Sequence, residues 1–474
     1  MRSRRTRLRQ KSLSLFDESE LAMLRVEPTG KSAGSRVFPA QVEVQTREEV
    51  VSDVVGLMDQ VVERCNMRSA LERVERNKGA AGVDGMSAKQ LRAYLHQHWP
   101  SLKQSLLDGS YRPQAVKRVE IPKPHGGKRM LGIPTVLDRL IQQALLQVLT
   151  PLFDPHFSSS SYGFRPGRRG KDAVSKAREY VREGWSWVVD LDLEKFFDRV
   201  NHDMLMARVA RRVEDKRVLF VIRQFLRSGV LLNGIAVANE EGTPQGGPLS
   251  PLLANILLDD FDKELEKRGH RFVRYADDCN IYVRSRRAGE RVCHSLTQFL
   301  EQGLRLKVNQ SKSAVSRPWK RKFLGFSLLA QGRRIRLAPE TLQKVKDKIR
   351  RFTQRGKGWS MTARIAALNQ YLRGWLGYFA LAETPTVFKR LDQWLRRRLR
   401  MCQWKDWKRI RTRVRELRAL GLRELDVWEA AGSRRKYWRI AKSPPLHKAL
   451  GVRYWHAQGL FSLADRYDTL RKAM

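Results

Sequence analysis

The stretch RYADDCNIYV, residues 274–283, is the part of the chain that decides its fold. Apolar residues alternate on both sides of the adjacent Asp277 and Asp278, which predicts two short strands joined by a tight acidic turn. Each carboxylate disfavours ionisation of its neighbour, so a divalent cation that prefers oxygen ligands, such as Mg²⁺, would stabilise the pair. Aspartate is also common in ordinary turns, and the dipeptide alone favours that simpler interpretation. The choice between the two interpretations depends on the rest of the chain.

The composition of the whole chain indicates a folded protein that binds a polyanion. The chain has 474 residues, enough for two or three domains, and 42% of them are hydrophobic. Lys and Arg number 93 against 49 Asp and Glu, which gives a formal net charge of +44. Because basic side chains that neutralise phosphates release condensed counterions, nucleic acid is the expected partner. No apolar run reaches the roughly 18 residues of a membrane span, so no membrane partner is expected.

The cysteines show no zinc-binding pattern, and the N-terminal segment is not a secretory signal. Cys65, Cys279, Cys293 and Cys402 form no C-x-x-C pair and have no histidine at zinc spacing, so we expect reduced thiols, as in cytosol. Residues 1–50 combine Gly, Ser, Pro and charge, which predicts a basic extension with little fixed structure. Its basic start favours either a nucleic-acid-binding arm or a solvated terminus, and it lacks the apolar segment of a secretory signal.

A β-hairpin is predicted at residues 116–133, with a turn at 122–127 that is rich in Pro and Gly. Lys123 and Arg129 could hold a triphosphate on this hairpin, by charge and by bidentate hydrogen bonding. A solvated basic hairpin fits the same spacing. After the hairpin, the spacing of apolar residues predicts a helix with a broad buried face at 138–149.

Two further segments combine charge with aromatic or apolar residues. The loop at 158–169 mixes aromatic residues with arginines, a combination that can stack on bases and contact phosphates. The apolar run at 185–198 reads as a strand that ends in acids, where Asp190 and Asp192 would point to the same side. Unpaired acids are costly to bury, so they mark either a strand end in water or a metal site. The spacing makes no choice between Asp190 and Asp192.

Residues 242–251 join glycines to prolines in a short connection. Gly246 and Gly247 would let the backbone approach a ligand closely, while Ser250 and Pro251 mark the start of a helix. A Pro/Gly connection without special purpose has the same composition.

The last third of the chain changes in character. A short strand is predicted at 323–326, near the end of the mixed region. Amphipathic patterns then predict three helices, at 341–355, 363–381 and 386–402. Their charged stripes could be merely solvated, but the high total charge favours a surface that faces RNA or DNA.

Taken in order, these segments resemble the blocks of the reverse transcriptases encoded by bacterial group II introns, the intron maturases. The resemblance runs from about residue 65 to the C-terminus. YADD at 275–278 resembles the family's catalytic block, and DLEKFFD at 192–198 resembles the block that carries its other catalytic aspartate. The remaining matches are to the N-terminal block, the PQGG segment, the primer-supporting block and the thumb or X segment, at residues 79–85, 243–251, 324–326 and 369–379.

The resemblance implies a role for each residue of the site. Asp192 rather than Asp190 is the implied metal ligand, because the family places an aromatic residue five positions after its catalytic aspartate, and Phe197 stands there. Phe197 would be the gate against the ribose 2′-hydroxyl. Asp277 would share the metal ions with Asp192, and Asp278 completes the catalytic and metal-binding cluster. The implied nucleotide-binding residues are Lys123, Arg129, Ile133, Phe197 and Gln245.

The implied fold is a right-hand polymerase of the α+β class. Fingers and a palm with a ferredoxin-like antiparallel sheet are followed by an all-α thumb and X domain and by a short basic C-terminal domain. We expect the basic N-terminal extension at 1–50, fingers and palm at 51–336, the helical thumb and X domain at 337–430, and a DNA-binding-like region at 431–474.

The implied activity is RNA-directed DNA polymerisation with two Mg²⁺ ions as cofactors. The enzyme would bind its intron RNA to assist splicing and copy that RNA into DNA during retrohoming. Its expected partners are the intron RNA, an RNA template with a DNA primer, target DNA and dNTPs, in the bacterial cytoplasm and at the nucleoid. A monomer and a dimer are both compatible with the sequence.

Two alternatives remain open at this point. One is a host-adapted relative used in defence or repair, and the other is a splicing-only maturase that binds RNA without catalysis. The intact acids at 192, 277 and 278 favour the enzyme over the second alternative. Many relatives end in an H-N-H endonuclease with paired cysteines, and no such cluster follows Cys402, so we expect a protein that does not cut the second DNA strand.

Overall fold

The computed structural model describes residues 56–122, 128–232, 235–237, 242, 246–332, 334–356 and 358–472. The predicted extension at 1–50 lies outside the described residues. The chain divides into two compact units. The first comprises Met1–Ser158, Leu193–Lys263 and Phe299–Lys307, and the second comprises Ser159–Asp192, Glu264–Gln298 and Val308–Met474.

Helices account for most of the described chain, and short strands form three sheets. The helices are α1 (Leu57–Val62), α2 (Arg64–Asn77), α3 (Leu91–Leu107), α4 (Val136–Phe153), α5 (Gly170–Arg182), α6 (His202–Val209), α7 (Lys216–Arg227), α8 (Ser250–Lys267), α9 (Arg286–Gln298), α10 (Pro339–Phe352), α11 (Met361–Phe379), α12 (Pro385–Asp406), α13 (Ile410–Ala419), α14 (Glu424–Ala431), α15 (Tyr437–Ile440), α16 (Pro444–Ala449), α17 (Val452–Ala457) and α18 (Leu463–Lys472). The strands are β1 (Val116–Pro122), β2 (Lys128–Ile133), β3 (Trp187–Leu191), β4 (Val230–Leu232), β5 (Ile235–Val237), β6 (Arg271–Tyr275), β7 (Asp278–Val283), β8 (Ala314–Ser316), β9 (Phe326–Leu328) and β10 (Ile335–Leu337).

The predicted basic hairpin forms β1 and β2 of a four-stranded sheet in the first unit, with the order β2-β1-β4-β5. β1 and β2 pair antiparallel with Ile121 opposite Arg129, whereas β1 and β4 are parallel. Helix α4 follows directly, and its N-terminus is capped by the hydroxyl of Thr135, which accepts a hydrogen bond from the backbone N–H of Asp138 at 3.0 Å. The buried carboxylate of Asp138 in turn accepts hydrogen bonds from the Thr135 hydroxyl at 2.6 Å and from the Tyr111 hydroxyl at 2.7 Å. The hairpin and the helix are both confirmed.

The predicted acidic hairpin forms β6 and β7 of the second unit, in an antiparallel sheet with the order β6-β7-β3-β8. Tyr275 pairs with Asp278, so the turn consists of Ala276 and Asp277 alone. Helices α5 and α9 pack against this sheet. On α9, Gly289 makes the close packing possible, because a Cβ there would lie 3.3 Å from the side chain of Val283.

The predicted strand at 323–326 is wrong, because these residues form a tight turn. The backbone N–H groups of Phe323 and Phe326 each donate to the other residue's carbonyl at 2.9 Å. The two residues between them have left-handed backbones, with φ of 51° at Leu324 and 82° at Gly325. Consecutive left-handed residues reverse the chain within two positions, so the strand begins only at Phe326.

The second unit has a hydrophobic core that continues from the sheet into the helices. One cluster of buried side chains includes Val188 of β3, Val273 of β6 and Phe326 of β9. The same cluster extends through Leu372 of α11 to Trp455 of α17. The three predicted amphipathic helices are confirmed as α10, α11 and α12, and their apolar faces supply part of this core.

The fold is therefore mixed α+β, with antiparallel strand pairs in the sheets followed by a helical region. The cysteines differ in burial: Cys279 and Cys402 are buried, and Cys65 is exposed. Within the part of the chain that the structure describes, no helix combines the length and the apolar character needed to cross a membrane.

Candidate active site

The end of β3 and the acidic turn meet at one edge of the antiparallel sheet. Leu191, the last residue of β3, pairs with Cys279 of β7. Asp192 follows Leu191 directly and Asp278 precedes Cys279 directly, so the sheet register brings the two acids to the same edge. The structure thus unites two acidic segments that are 86 residues apart in sequence (278 minus 192).

The carboxylates of this edge act on one another through space. The pKa of Asp278 is raised to about 7, first because protein atoms surround its carboxyl group, although the residue as a whole is exposed. The negative charges of Asp277, Asp190 and Asp192 contribute to the same rise, and the ammonium of Lys312 opposes it. Negative charge in this cluster is therefore incompletely compensated by the protein itself.

The loop at residues 309–313 holds Asp192 in place. The backbone N–H of Asp192 donates to the Ser313 hydroxyl at 3.0 Å, and its carbonyl accepts from the N–H of Asn309 at 2.8 Å. The ammonium of Lys312 lies 3.1 Å from a carboxylate oxygen of Asp192. Sequence reasoning missed these three residues, because they lie about 120 positions away and belong to no recognisable pattern.

Asp190 has a different environment from Asp192. It lies within β3, opposite Asn280, and its carboxylate accepts a hydrogen bond from Arg321 Nε at 2.7 Å. Burial raises the pKa of Asp190, while the guanidinium of Arg321 opposes that rise. Arg321 also donates to the backbone carbonyl of Lys312 at 2.6 Å, which ties Asp190 to the loop that carries Lys312. Asp190 therefore forms a structural ion pair beneath the edge that carries Asp192.

Arg274 supports the acidic turn from inside the protein and was also missed. Its side chain is only 1% exposed, and it donates to the Ala276 carbonyl at 3.0 Å and to the Ser161 hydroxyl at 2.9 Å. Ala276 has a left-handed backbone with φ of 56°, which the bond from Arg274 helps to hold. A Cβ at Gly163 would lie 3.0 Å from the Tyr275 carbonyl carbon, so this glycine lets the loop pack directly on the turn.

The loop at 158–169 is therefore more structural than its composition suggests. Ser161 is fully buried and bridges to Arg274, and the buried Arg165 donates to the Ser161 carbonyl at 3.1 Å. Arg168 donates to the carbonyl of Ser159 at 2.5 Å. Arginines that we expected to contact phosphates thus satisfy carbonyl groups of their own loop. Phe164 is 57% exposed and lies 6.1 Å from the Tyr275 ring.

The donor set of the cluster suits a hard divalent cation. Asp192, Asp277 and Asp278 offer only carboxylate oxygens, the ligands that Mg²⁺ prefers, and their mutual repulsion is relieved by added positive charge. Among the described residues, no three Asp, Glu, His or Cys side chains are already arranged as a metal-binding group. The acids therefore fit Mg²⁺ in chemistry and charge, and the Lys312 ammonium shares Asp192 with any cation that binds.

The predicted nucleotide-binding residues belong to the first unit. Lys123 and Gln245 lie outside the described residues, and Arg129 is placed only by its backbone pairing in β2. Ile133 is the partly buried last residue of β2. Phe197 lies in a 3₁₀ turn, where its ring packs edge-on against Phe196 with centroids 5.2 Å apart.

Glycines bring the segments around these residues close together within the first unit. A Cβ at Gly246 would collide with the backbone carbonyl of Gly132, so this glycine, with φ of 132°, packs against β2 next to Ile133. A Cβ at Gly242 would lie 2.9 Å from the Phe197 carbonyl oxygen. We expected the glycines to allow a close approach to a ligand. In the structure they also allow close packing between segments of the protein backbone.

The tight turn at Leu324 and Gly325 contacts the helical region. The Tyr378 hydroxyl donates to the Leu324 carbonyl at 3.2 Å, and the Thr341 hydroxyl donates to the Gly325 carbonyl at 2.8 Å. A Cβ at Gly325 would lie 3.0 Å from the Phe379 ring. The segments that resemble the primer-supporting block and the thumb block therefore form one contiguous structure.

Comparison with known proteins agrees with this arrangement. Residues 121–328 match the model of the reverse transcriptase (RNA-dependent DNA polymerase) family, and residues 342–421 match the maturase-specific domain of group II introns. The sheet that carries the acidic edge lies entirely in the first match, which begins within β1 of the basic hairpin. The fold, the site and these matches define a reverse transcriptase, an RNA-directed DNA polymerase.

Individual relatives narrow the class further. Protein YkfC of Escherichia coli is 33% identical over 279 residues, which cover 50% of this chain and 73% of YkfC. Group II intron-encoded protein LtrA of Lactococcus lactis is 37% identical over 202 residues, 41% of this chain and 32% of LtrA. A chain of a solved partial Cas6-RT-Cas1–Cas2 complex matches 56% of this chain and 44% of its own length, at 26% identity and a TM-score of 0.35, and this match adds nothing to the family assignment. The chain belongs to the family of group II intron reverse transcriptases with a maturase domain.

Proposed function

We propose that this protein is the polymerase of a group II intron, which binds its intron RNA to assist splicing and copies that RNA into DNA during retrohoming. The observation that carries the proposal is the acidic edge, where Asp192 and the 277–278 turn meet. A splicing-only protein has no need for carboxylates whose charges oppose one another. The maturase-specific match at 342–421 supports the RNA-binding part of the proposal.

The acidic edge supplies the position and the charge that phosphoryl transfer requires. In the proposed mechanism Asp192 and Asp277 are the principal ligands of two Mg²⁺ ions, and Asp278 completes the set. Two Mg²⁺ ions held there would supply activation of the primer 3′-hydroxyl and neutralisation of charge on the pyrophosphate leaving group. Ser313 and Asn309 hold the Asp192 backbone, while Arg274 holds the turn that carries Asp277. The ligands are thereby fixed before substrate binds.

The incoming nucleotide is assigned to the first unit. We propose that Lys123 and Arg129 bind its triphosphate and that Ile133 and Gln245 shape its pocket. Phe197 excludes the ribose 2′-hydroxyl by bulk. The support for these roles is the resemblance of their sequence blocks to the family, together with the packing of Gly246 on β2 beside Ile133.

The helical region is proposed as the surface for intron RNA. Burial, together with the neighbouring positive charges of Arg396 and Arg397, lowers the pKa of Arg400 to about 10. Arg400 is itself buried, so the proposed RNA contacts come from exposed cations of the same helix, such as Arg390. We retain 337–430 as the thumb and X domain and 431–474 as a basic C-terminal region that contacts target DNA, and 51–336 as fingers and palm.

Primer extension on an RNA template with Mg²⁺ tests the polymerase. The wild-type protein is expected to extend the primer, and Asp277→Ala is expected to incorporate nothing while it retains affinity for RNA. Equal incorporation by the variant would refute the assigned chemistry. Loss of RNA binding in a folded Asp277→Ala protein would instead contradict the separation of catalysis from maturase function.

The RNA that co-purifies with the protein tests the biological context. A self-splicing intron RNA is the expected partner. Recovery of host RNAs without any intron sequence would favour a host-adapted enzyme, and it would leave the polymerase assignment intact.

A further inference from the structure

A cavity of about 950 Å³ lies in the helical region of the second unit, and none of the acids of the active site lines it. The segment after α10, from Thr353 to Gly356, forms one wall, and α12 forms a second. Tyr437 and Trp438 of α15 form the third wall. Small-molecule sites measure about 300–1,000 Å³, so the cavity is large enough for one unstacked nucleotide.

The charged side chains of the cavity are all cationic. Arg355, Arg398 and Lys405 line it, and its lining contains no carboxylate. Within the described residues, none of these three cations lies within ion-pair distance of a carboxylate. Lys405 donates to the backbone carbonyl of Arg355 at 2.6 Å, which links the wall formed by α12 to the wall formed by residues 353–356. Such uncompensated positive charge favours an anionic ligand.

The aromatic wall is unusual because it is exposed and fixed at the same time. Trp438 is 37% exposed, whereas Trp404 and Trp455 of the same unit are 1% exposed and belong to the core. The guanidinium of Arg397 lies 3.9 Å from the Trp438 ring, and it donates to the Trp438 carbonyl at 3.0 Å. The guanidinium of Arg355 lies 5.0 Å from the Tyr437 ring. Fixed, exposed rings beside cations are the elements from which proteins build base-stacking sites.

We propose that this cavity binds one unpaired nucleotide of a nucleic-acid strand, with the base stacked on Trp438 and the flanking phosphates bound by Arg355 and Lys405. The ligand is a strand rather than a free nucleotide, because three further exposed cations, residues 434–436, directly precede the aromatic pair in sequence. The proposal deepens the proposed nucleic-acid-binding function and rests on it, but it does not depend on catalysis.

The test uses the full-length protein with its polymerase cleft saturated by an unlabelled primer–template duplex. The probes are short single-stranded RNA and DNA oligonucleotides that carry one 2-aminopurine, whose fluorescence is quenched by stacking. Trp438→Ala is expected to weaken binding about tenfold and to abolish the quenching, because base–aromatic stacking contributes about 1–3 kcal/mol per base. Trp438→Phe is expected to restore most of the affinity. The probe that binds the wild type more tightly identifies RNA or DNA as the ligand.

Trp428→Ala provides a matched control. Trp428 is 54% exposed and also has a guanidinium 5.9 Å from its ring, but that cation, Arg418, is paired with Glu424 at 2.7 Å. This variant is expected to bind the probes as the wild type does. An abasic probe, which needs no variant, should bind the wild type about tenfold more weakly and should not discriminate between wild type and Trp438→Ala.

The charge part of the proposal has its own readout. The double variant Arg355→Gln, Lys405→Gln is expected to reduce the salt dependence of binding by about 1.4 in the slope of log K against log salt, since each phosphate contact contributes about 0.7. The proposal is overturned if the abasic probe binds the wild type as tightly as the intact one, or if Trp428→Ala and Trp438→Ala lose equal affinity. Primer extension by the wild-type protein is measured in parallel, so failure of the polymerase assignment and failure of this site are separate outcomes.

Discussion

In the second unit, the sheet gathers carboxylates and the helical region gathers cations. At the edge of the sheet, four carboxylates act on one another, and Asp190 and Asp192 are each held at a fixed distance from one cation, 2.7 Å and 3.1 Å. In the helical region, Arg355 and Lys405 lie together without any carboxylate between them. Chemistry on a single phosphate requires a few groups in fixed positions, whereas binding of a long strand requires many groups with loose positions. Single substitutions should therefore be severe in the sheet and mild in the helices.

The largest expected effect is on the rate of primer extension, and it should differ between Asp192 and Asp190. Asp192→Asn is expected to lower the rate of primer extension about 10³-fold, because loss of a metal ligand removes several kcal/mol of transition-state stabilisation. Asp190→Asn should lower it less than about tenfold, since Asp190 acts through Arg321. Single-turnover primer extension measures both. Equal losses of rate in the two variants would contradict the proposal that Asp192 is a metal ligand and Asp190 a supporting residue.

The next effect concerns Phe197, whose proposed role as a gate depends on its shape alone. Phe197→Ala is expected to increase ribonucleotide incorporation relative to deoxyribonucleotide incorporation on the order of 10²-fold, the most that removal of a steric contact usually yields. Competition between matched rNTP and dNTP in primer extension gives the ratio. Phe196→Leu is the control, because Phe196 is buried beside the same turn and should leave the ratio unchanged. An unchanged ratio in Phe197→Ala would remove the gate assignment.

A third substitution tests whether the ion pair of β3 is structural. Arg321→Met is expected to lower the free energy of unfolding by about 2 kcal/mol, because it leaves the half-buried carboxylate of Asp190 without its partner. The double variant Asp190→Asn, Arg321→Met should recover part of that loss. Urea denaturation measures both values. Additive losses would show that the two side chains do not depend on each other.

Asp278 gives a stability effect of opposite sign. Its pKa in the folded protein is raised to about 7, so its ionised form destabilises the folded state without bound cation. The cost is absent below the unfolded pKa, near 4, and is fully present above about pH 7. In the presence of a chelator, Asp278→Asn is therefore expected to raise the free energy of unfolding on the order of 1 kcal/mol at about pH 8, after allowance for solvent screening, and not at all at about pH 4.

Thermal unfolding at the two pH values checks this prediction. Asp468→Asn, at an exposed position on α18, serves as the control and should change nothing at either pH. A gain in Asp278→Asn that persists at low pH would have a cause other than repulsion among the carboxylates.

The smallest effect is expected in the helices. Arg390→Gln, on the exposed side of α12, should reduce the salt slope of RNA binding by about 0.7 and leave primer extension on a short template intact. Filter binding over a range of salt concentrations measures the slope. Loss of all RNA binding from this single change would contradict the expectation that many cations of the helical region share the binding of RNA.

Local patterns predicted the elements well, because each depends on residues close in sequence. Alternating apolar residues predicted the hairpins at 116–133 and 274–283, and helical spacing predicted α10 to α12. The strand predicted at 323–326 failed for a local reason as well. Leu324 there adopts a left-handed backbone that its residue type rarely takes, supported by contacts from Tyr378 and Thr341 that no local pattern reveals.

The supports of the site could not be predicted, because they come from distant parts of the chain. Lys312 and Ser313 reach Asp192 from about 120 residues away, and Ser161 meets Arg274 from 113 residues away. The sequence contains these residues without any periodicity that pairs them. Arg274 was visible within the decisive stretch itself, but an arginine in a strand indicates exposure far more often than burial at 1%.

The bond between Arg274 and Ser161 has a consequence for anyone who engineers this chain. The segment at 158–169 reads as a glycine- and serine-rich surface loop, the kind chosen for inserting tags or foreign domains. Its backbone, however, exchanges hydrogen bonds with β6, since the N–H of Tyr162 donates to the Arg274 carbonyl and the N–H of Arg274 donates to the Ser160 carbonyl, both at 2.9 Å. An insertion there would act as a break in the sheet edge that supports the acidic turn, so fusion points belong elsewhere.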